Sequence, residues 1–265
     1  MRGMRRRGGL RIRRRLGVVN DWRNAMKRVK MVGLLVVAML AGCKGSSEMT
    51  PEQRQAAREK AHEAMDAIPL AQRRGFEQTG DGSPELAIVK APLDKLTDAV
   101  LKGNPSKVVV SDALGKDVEI LDQSYLLMQL KGHPWTAIIR LSAGATKIPE
   151  LAKALSSDLQ TEAISYRYSD FSGSTHYALY DSGNEIETLV DTDKGVTFNS
   201  SRRQITADEK EDVELYLDRA LKAEDAYLPE IGGYEAPPGK TQLPPDYGYK
   251  PEEVEGTVFV AGKNP

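Results

Sequence analysis

The stretch AISYRYSDFSGSTHYALYDSGNEIETLV, residues 163–190, decides the fold. Its first segment, 163–168, places Ile164, Tyr166 and Tyr168 at every second position, on one face of an extended chain. Residues 174–180 and 185–190 read as two further strands. Between the three lie Asp170-Phe171-Ser172-Gly173 and Asp181-Ser182-Gly183-Asn184. Both tetrads carry the Asp, Ser, Gly and Asn residues that hairpin turns require. Three strands joined by tight turns predict an antiparallel meander.

Working outward, Ile148, Leu151, Leu155 and Leu159 recur at helical spacing, with Pro149 in the first turn. Residues 136–141 read as a strand before that helix. A similar order precedes it. Residues 86–89 form a strand, and Leu93, Leu96 and Val100 mark a short helix stopped by Gly103-Asn104-Pro105. Residues 107–111 and 118–121 are strands joined near Gly115-Lys116, and 125–130 is an apolar strand or buried turn. The order predicts an α+β fold with a mainly antiparallel sheet, arranged as two tandem β-α-β-β units. Trp135 is expected in its core.

Downstream, Thr206-Ala207-Asp208-Glu209 has the form of a capping box and predicts one helix running to about Ala223. Val213, Tyr216, Leu217 and Ala220 form its apolar stripe. Beyond residue 228 the chain is rich in Pro and Tyr, which predicts an extended tail with a last edge strand over 257–260. Upstream, residues 44–49 are a polar tether, 51–65 a charged helix capped by Thr50, and 75–84 a loop. The expected organisation is a basic leader with an export signal (1–42), a tether, helix and loop (43–84), an α+β domain (85–227) and a tail (228–265).

The address is written near the amino terminus. Met26-Lys27-Arg28-Val29-Lys30 is basic, residues 31–40 are uncharged and apolar, and Leu40-Ala41-Gly42-Cys43 ends the run on the single cysteine. Basic, apolar and small-residue regions in that order form a secretory signal. The apolar run would reach only about 17 Å as a helix. A bilayer core of about 30 Å is out of its range.

The tetrad resembles the lipobox of bacterial lipoproteins. That resemblance covers residues 26–43 alone. It implies cleavage before Cys43, diacylglyceryl modification of its thiol and anchoring of the remainder in the cell envelope. Lys44, standing where an aspartate would retain a lipoprotein at the inner membrane, implies outer-membrane delivery. The nine arginines before Met26 are read as lying upstream of the true start, at Met26.

Charge narrows the partners. The whole chain has 37 basic and 38 acidic residues, but residues 1–42 hold twelve of the former and only Asp21 of the latter. The remaining 25 basic and 37 acidic residues give a mature chain near −12. Such a surface repels nucleic acid and anionic headgroups, so lipid on Cys43 is expected to hold the membrane and a protein is the expected partner.

Chemistry is sparsely signalled. His62, His133 and His176 share no ligand spacing, so no metal is expected. No phosphate-cradling glycine loop is present, and no cofactor is expected. The densest polar cluster is Asp170, Ser172, Ser174 and His176, which has the residue types of a nucleophilic site but also those of a hairpin turn. Glu185/Glu187 and Asp191/Asp193 read as solvated carboxylates on strand faces. The sequence therefore predicts a lipid-anchored, non-catalytic binding or structural module. The alternatives are a toxin-neutralising immunity or inhibitor protein, and a hydrolase using residues 170–176.

Overall fold

The computed structural model describes residues 67–76, 85–102, 107–142, 145–169, 171–229 and 237–262. The leader, Leu40, Ala41, Gly42, Cys43, the tether and the helix expected over 51–65 lie outside them, as does Asp170.

In chain order the elements are β1 (Gly75–Phe76), β2 (Glu85–Val89), α1 (Leu93–Leu101), β3 (Lys107–Ser111), β4 (Asp117–Ile120), β5 (Gln123–Leu130) and β6 (Thr136–Arg140). Then come α2 (Ile148–Leu159), β7 (Glu162–Ser169), β8 (Ser174–Asp181), β9 (Asn184–Thr192) and β10 (Gly195–Ser200). The last are α3 (Ala207–Glu211), α4 (Val213–Ala223), β11 (Tyr227–Leu228), β12 (Gly239–Gln242) and β13 (Val254–Gly262). Nine strands form one sheet in the order β10-β9-β8-β7-β2-β6-β5-β13-β3. Every neighbouring pair in it is antiparallel. The fold is α+β, dominated by this sheet.

Both faces of the sheet are covered. On one, Ala87, Val89, Leu127, Ile138 and Ala163 pack against Leu96 of α1 and Ile148, Ala152 and Leu155 of α2. On the other, Leu86, Ile88, Met128, Ile139, Ile164 and Tyr177 pack against Tyr216, Leu217, Ala220 and Leu221 of α4. A strand covered on both sides cannot alternate in polarity. The central strands accordingly read as near-continuous apolar runs, with β2 and β6 each burying four consecutive residues. Each large aliphatic side chain buried this way contributes about 1.5–3 kcal/mol.

The β8–β9 turn shows the local chemistry directly. Ser182 and Gly183 both take positive φ, 50° and 83°, which is the two-residue hairpin geometry whose twist matches its strands. A Cβ on Gly183 would fall 2.7 Å from the Cβ of Ser157 on α2, so the turn and the helix meet only because this residue is glycine.

Several expectations are corrected. β4 does not join β3 in a hairpin; it pairs with β12, in a separate two-stranded ribbon. The strand expected at an edge over 257–260 runs over Val254–Gly262 and is interior, bonded to β5 on one side and β3 on the other. Leu243 and Tyr249 of the Pro-rich segment are buried in the hydrophobic core. Residues 254–262 thus belong to the main sheet, and Leu243 and Tyr249 to its core, while β12 stays in the separate ribbon. The helix expected from Thr206 to Ala223 breaks at Asp212, whose φ of −139° and ψ of 91° are extended. β1, β10, β11 and β12 have no counterpart among the strands expected from sequence, and 123–130 is a strand. Trp135 is buried, as expected.

Candidate functional site: an acidic, tyrosine-lined pocket

Antiparallel register aligns side chains into rows across the meander. Ile164, Leu179, Glu187 and Ser200 form one row; Tyr166, Tyr177, Leu189 and Phe198 the next; Tyr168, Thr175, Asp191 and Val196 the third. All three rows face α4. The helix covers the first two, through Tyr216 edge-on to Tyr177 and Phe198, with ring centroids 6.4 and 5.0 Å apart. The third row lies near the start of the helix and is left partly open.

A pocket of about 250 Å³ occupies that opening. Tyr166, Tyr168, Thr175 and Asp191 line it from the sheet, Phe76 from β1, and Gly173 from the β7–β8 turn. Glu211, Asp212, Val213, Glu214 and Leu217 line it from α3 and α4. The break at Asp212 builds this side. The Thr206 capping box opens α3, with the Glu209 N–H donating to Thr206 Oγ1 and the Thr206 N–H to Glu209 Oε2. Asp212 then accepts from the Glu214 N–H at 3.2 Å and restarts the chain as α4. Consecutive acids are thereby set along one wall.

The lining is chemically one-sided. It includes four carboxylates, three aromatic rings and no lysine or arginine among the described residues. Asp191 and Glu211 form no ion pair among those residues. Thr175 is 6% exposed. Its hydroxyl has no hydrogen-bond partner among the described residues. The carboxylates do not converge as metal ligands: no group of three or more His, Cys, Asp or Glu among the described residues is placed to hold a metal ion.

The serine–histidine cluster adjoins this pocket but is differently arranged. Ser172 Oγ lies 2.7 Å from Ser174 Oγ, so the two hydroxyls bond to each other. His176 stands opposite Arg167 of β7 and Val190 of β9, and no hydrogen bond among the described residues joins it to either serine. Burial, followed by the Arg167 charge, lowers its pKa. A nucleophile held by a base is not assembled from Ser172, Ser174 and His176.

Below the pocket, Glu187 departs from the expected solvated carboxylate. The register of β8 and β9 slips between Leu179 and Tyr180, so Leu179 pairs with Glu187 while Tyr180 pairs with Glu185. Alternation puts Glu187 on the inward face with Leu189, at 1% exposure, and the bulge takes Glu185 off that face and leaves it exposed. Glu187 accepts from Arg203, from Ser200 Oγ at 2.7 Å and from Tyr177 Oη at 3.2 Å. Burial and then the Glu187 carboxylate push the Tyr177 phenol well above its usual range. Arg203 also pairs with Glu224 at the end of α4. This network fastens the second half of the meander to α4.

No protein-family profile, characterised protein or solved structure matches the chain. The functional reading therefore rests on the residues themselves. Among the described residues no helix is long and apolar enough to cross a membrane.

Proposed function

We propose that this chain is a lipid-anchored bacterial envelope protein that works by binding another protein. Cys43 carries the anchor, and outer-membrane delivery follows from Lys44. The observation that carries the binding role is the surface pocket of aromatic rings and carboxylates at the open end of the meander. An open, side-chain-sized feature of one charge, beside a serine–histidine cluster without catalytic geometry, favours recognition over turnover. A sheet edge also supports it: among the described residues β3 ends the sheet, with Val108 and Val109 both exposed. The tandem reading of the fold is part of the proposal. It is supported by the interleaving of β2 and β5 about β6, and of β6 and β7 about β2.

A second reading, neutralisation of a basic toxin at the membrane, is favoured by the acid lining. It differs in partner rather than in mode.

The test is capture from native envelopes with the full chain in detergent. A partner retained by wild type and by the Ser172→Ala/His176→Ala pair, but lost on Asp191→Lys/Glu211→Lys, is expected. Loss of the cellular phenotype in the Ser172→Ala/His176→Ala protein with its fold intact would overturn the binding reading.

A further inference from the structure

We infer, resting on that binding reading, that the pocket receives one arginine side chain presented by a protein partner, with apolar residues beside it. Three observations converge. First, the recognition groups match a guanidinium. Asp191 and Glu211 offer carboxylates without an ion pair of their own among the described residues. The half-buried ring of Tyr168 offers a face. A planar cation that accepts bidentate carboxylate bonds and stacks on an aromatic ring suits both.

Second, Thr175, 6% exposed, lines the pocket with a hydroxyl that has no hydrogen-bond partner among the described residues and remains open to the pocket. Its oxygen can accept one of the five N–H donors that a guanidinium carries. It lies directly between Tyr168 and Asp191 in cross-strand register, so ring, hydroxyl and carboxylate form one continuous strip.

Third, size and surroundings identify a polypeptide source. At about 250 Å³ the cavity is smaller than the roughly 300–1,000 Å³ of sites that enclose whole small-molecule ligands. It suits a single long side chain. Phe171, two residues from the lining Gly173, is fully exposed, and Leu215, next to the lining Glu214, is 43% exposed. Exposed apolar side chains flanking a charged pocket match the apolar neighbours of an anchoring arginine.

The experiment is an NMR titration of the isotope-labelled full chain in detergent, following the Gly173 and Thr175 amides. The probes are a Leu-Arg-Phe peptide with blocked ends, its citrulline counterpart and spermidine. Saturable shifts with the arginine peptide are expected, weakened roughly tenfold or more with citrulline, which keeps the shape and loses the charge. Asp191→Asn should weaken arginine binding by a similar factor. Thr175→Val, which preserves volume and should fold, should weaken it severalfold. Equal binding of the citrulline peptide, absence of shifts with the arginine peptide, or unchanged affinity in both variants would overturn the inference. Spermidine binding more tightly than the peptide would overturn the polypeptide source. Failure of the arginine probes alongside envelope capture that still depends on Asp191 and Glu211 removes this inference and leaves the binding reading standing.

Discussion

Arg203 Nη1 donates to both carboxylate oxygens of Glu187, at 2.9 and 3.1 Å, in a site where the Glu187 side chain has no solvent exposure. Breaking a buried pair from one side strands the other charge, at a cost of about 3–5 kcal/mol. Arg203→Met should destabilise the domain by about that amount, since it strands Glu187, while Glu224 keeps Arg202. Glu187→Leu combined with Arg203→Met should recover much of the loss. Urea midpoints of the single and double variants check this; equal stability of wild type and Arg203→Met would contradict it.

His133 ties the segment before β1 to the sheet. Its Nε2 lies 2.7 Å from the Leu70 carbonyl and donates to it, which leaves Nδ1 to accept from Arg74 Nη1 at 3.3 Å. Arg74 is paired in turn with Asp225, and the Tyr227 ring lies 5.3 Å away. Burial lowers the His133 pKa, the Leu70 bond opposes this, and the Arg74 charge adds to the lowering. A folded-state pKa below the unfolded value means that the unfolded chain binds the proton first. The stability is present in full above the unfolded value of about 6.5. It is lost as pH falls from there through the folded value. His176 is shifted the same way. Denaturation midpoints should therefore decline between neutral pH and mildly acid pH, and His133→Gln should flatten part of the decline. An unchanged profile in that variant would remove the assignment.

Acid should act again lower down. Burial works against ionisation of Glu162, but bonds from Lys90 and Arg202 outweigh it and hold the carboxyl below its usual range. Glu209 is likewise held down by Arg219 and by Thr206, against burial. Depressed carboxyl pKa values confer stability above about 4.5 that is lost as pH falls through the folded values. Arg219→Ala should move the acid-unfolding midpoint to higher pH. Circular dichroism across an acid titration reads that shift; a midpoint equal to wild type would contradict it.

Gly183 offers a steric test. Its φ of 83°, together with the 2.7 Å at which an added Cβ would meet Ser157, leaves alanine strained twice over. Gly183→Ala should cost more than about 1 kcal/mol, and Ser157→Gly should relieve part of it. Thermal midpoints of the single and paired variants decide; additive losses would show that the contact carries no energy.

How far the sequence discloses this protein depends on the reach of each determinant. The 163–190 meander is legible because alternation and turn residues are local. Ile148, Leu155 and the Gly183 turn fall where their spacing indicates. β13 does not, because its interior position is fixed by pairing with β5 and β3, more than a hundred residues upstream. Glu187 looks solvated in sequence because it is a carboxylate two residues from Glu185, yet it shares the inward face with buried Leu189, and a bulge invisible in residue order separates it from Glu185. Asp212 breaks a helix whose apolar stripe looks continuous, and its N-cap chemistry is the available sign. The pocket is not legible at all, since Phe76, Tyr168, Asp191 and Glu211 meet only through the packing of α4 on the sheet.

The anchoring of this chain to a lipid surface is tested most directly by metabolic labelling with palmitate, followed by mass analysis of the mature amino terminus. The account predicts label on the wild-type protein, a new terminus at an acylated Cys43, and neither in Cys43→Ser. An unlabelled wild-type protein, or a Cys43→Ser protein that matures and localises as wild type does, would contradict it.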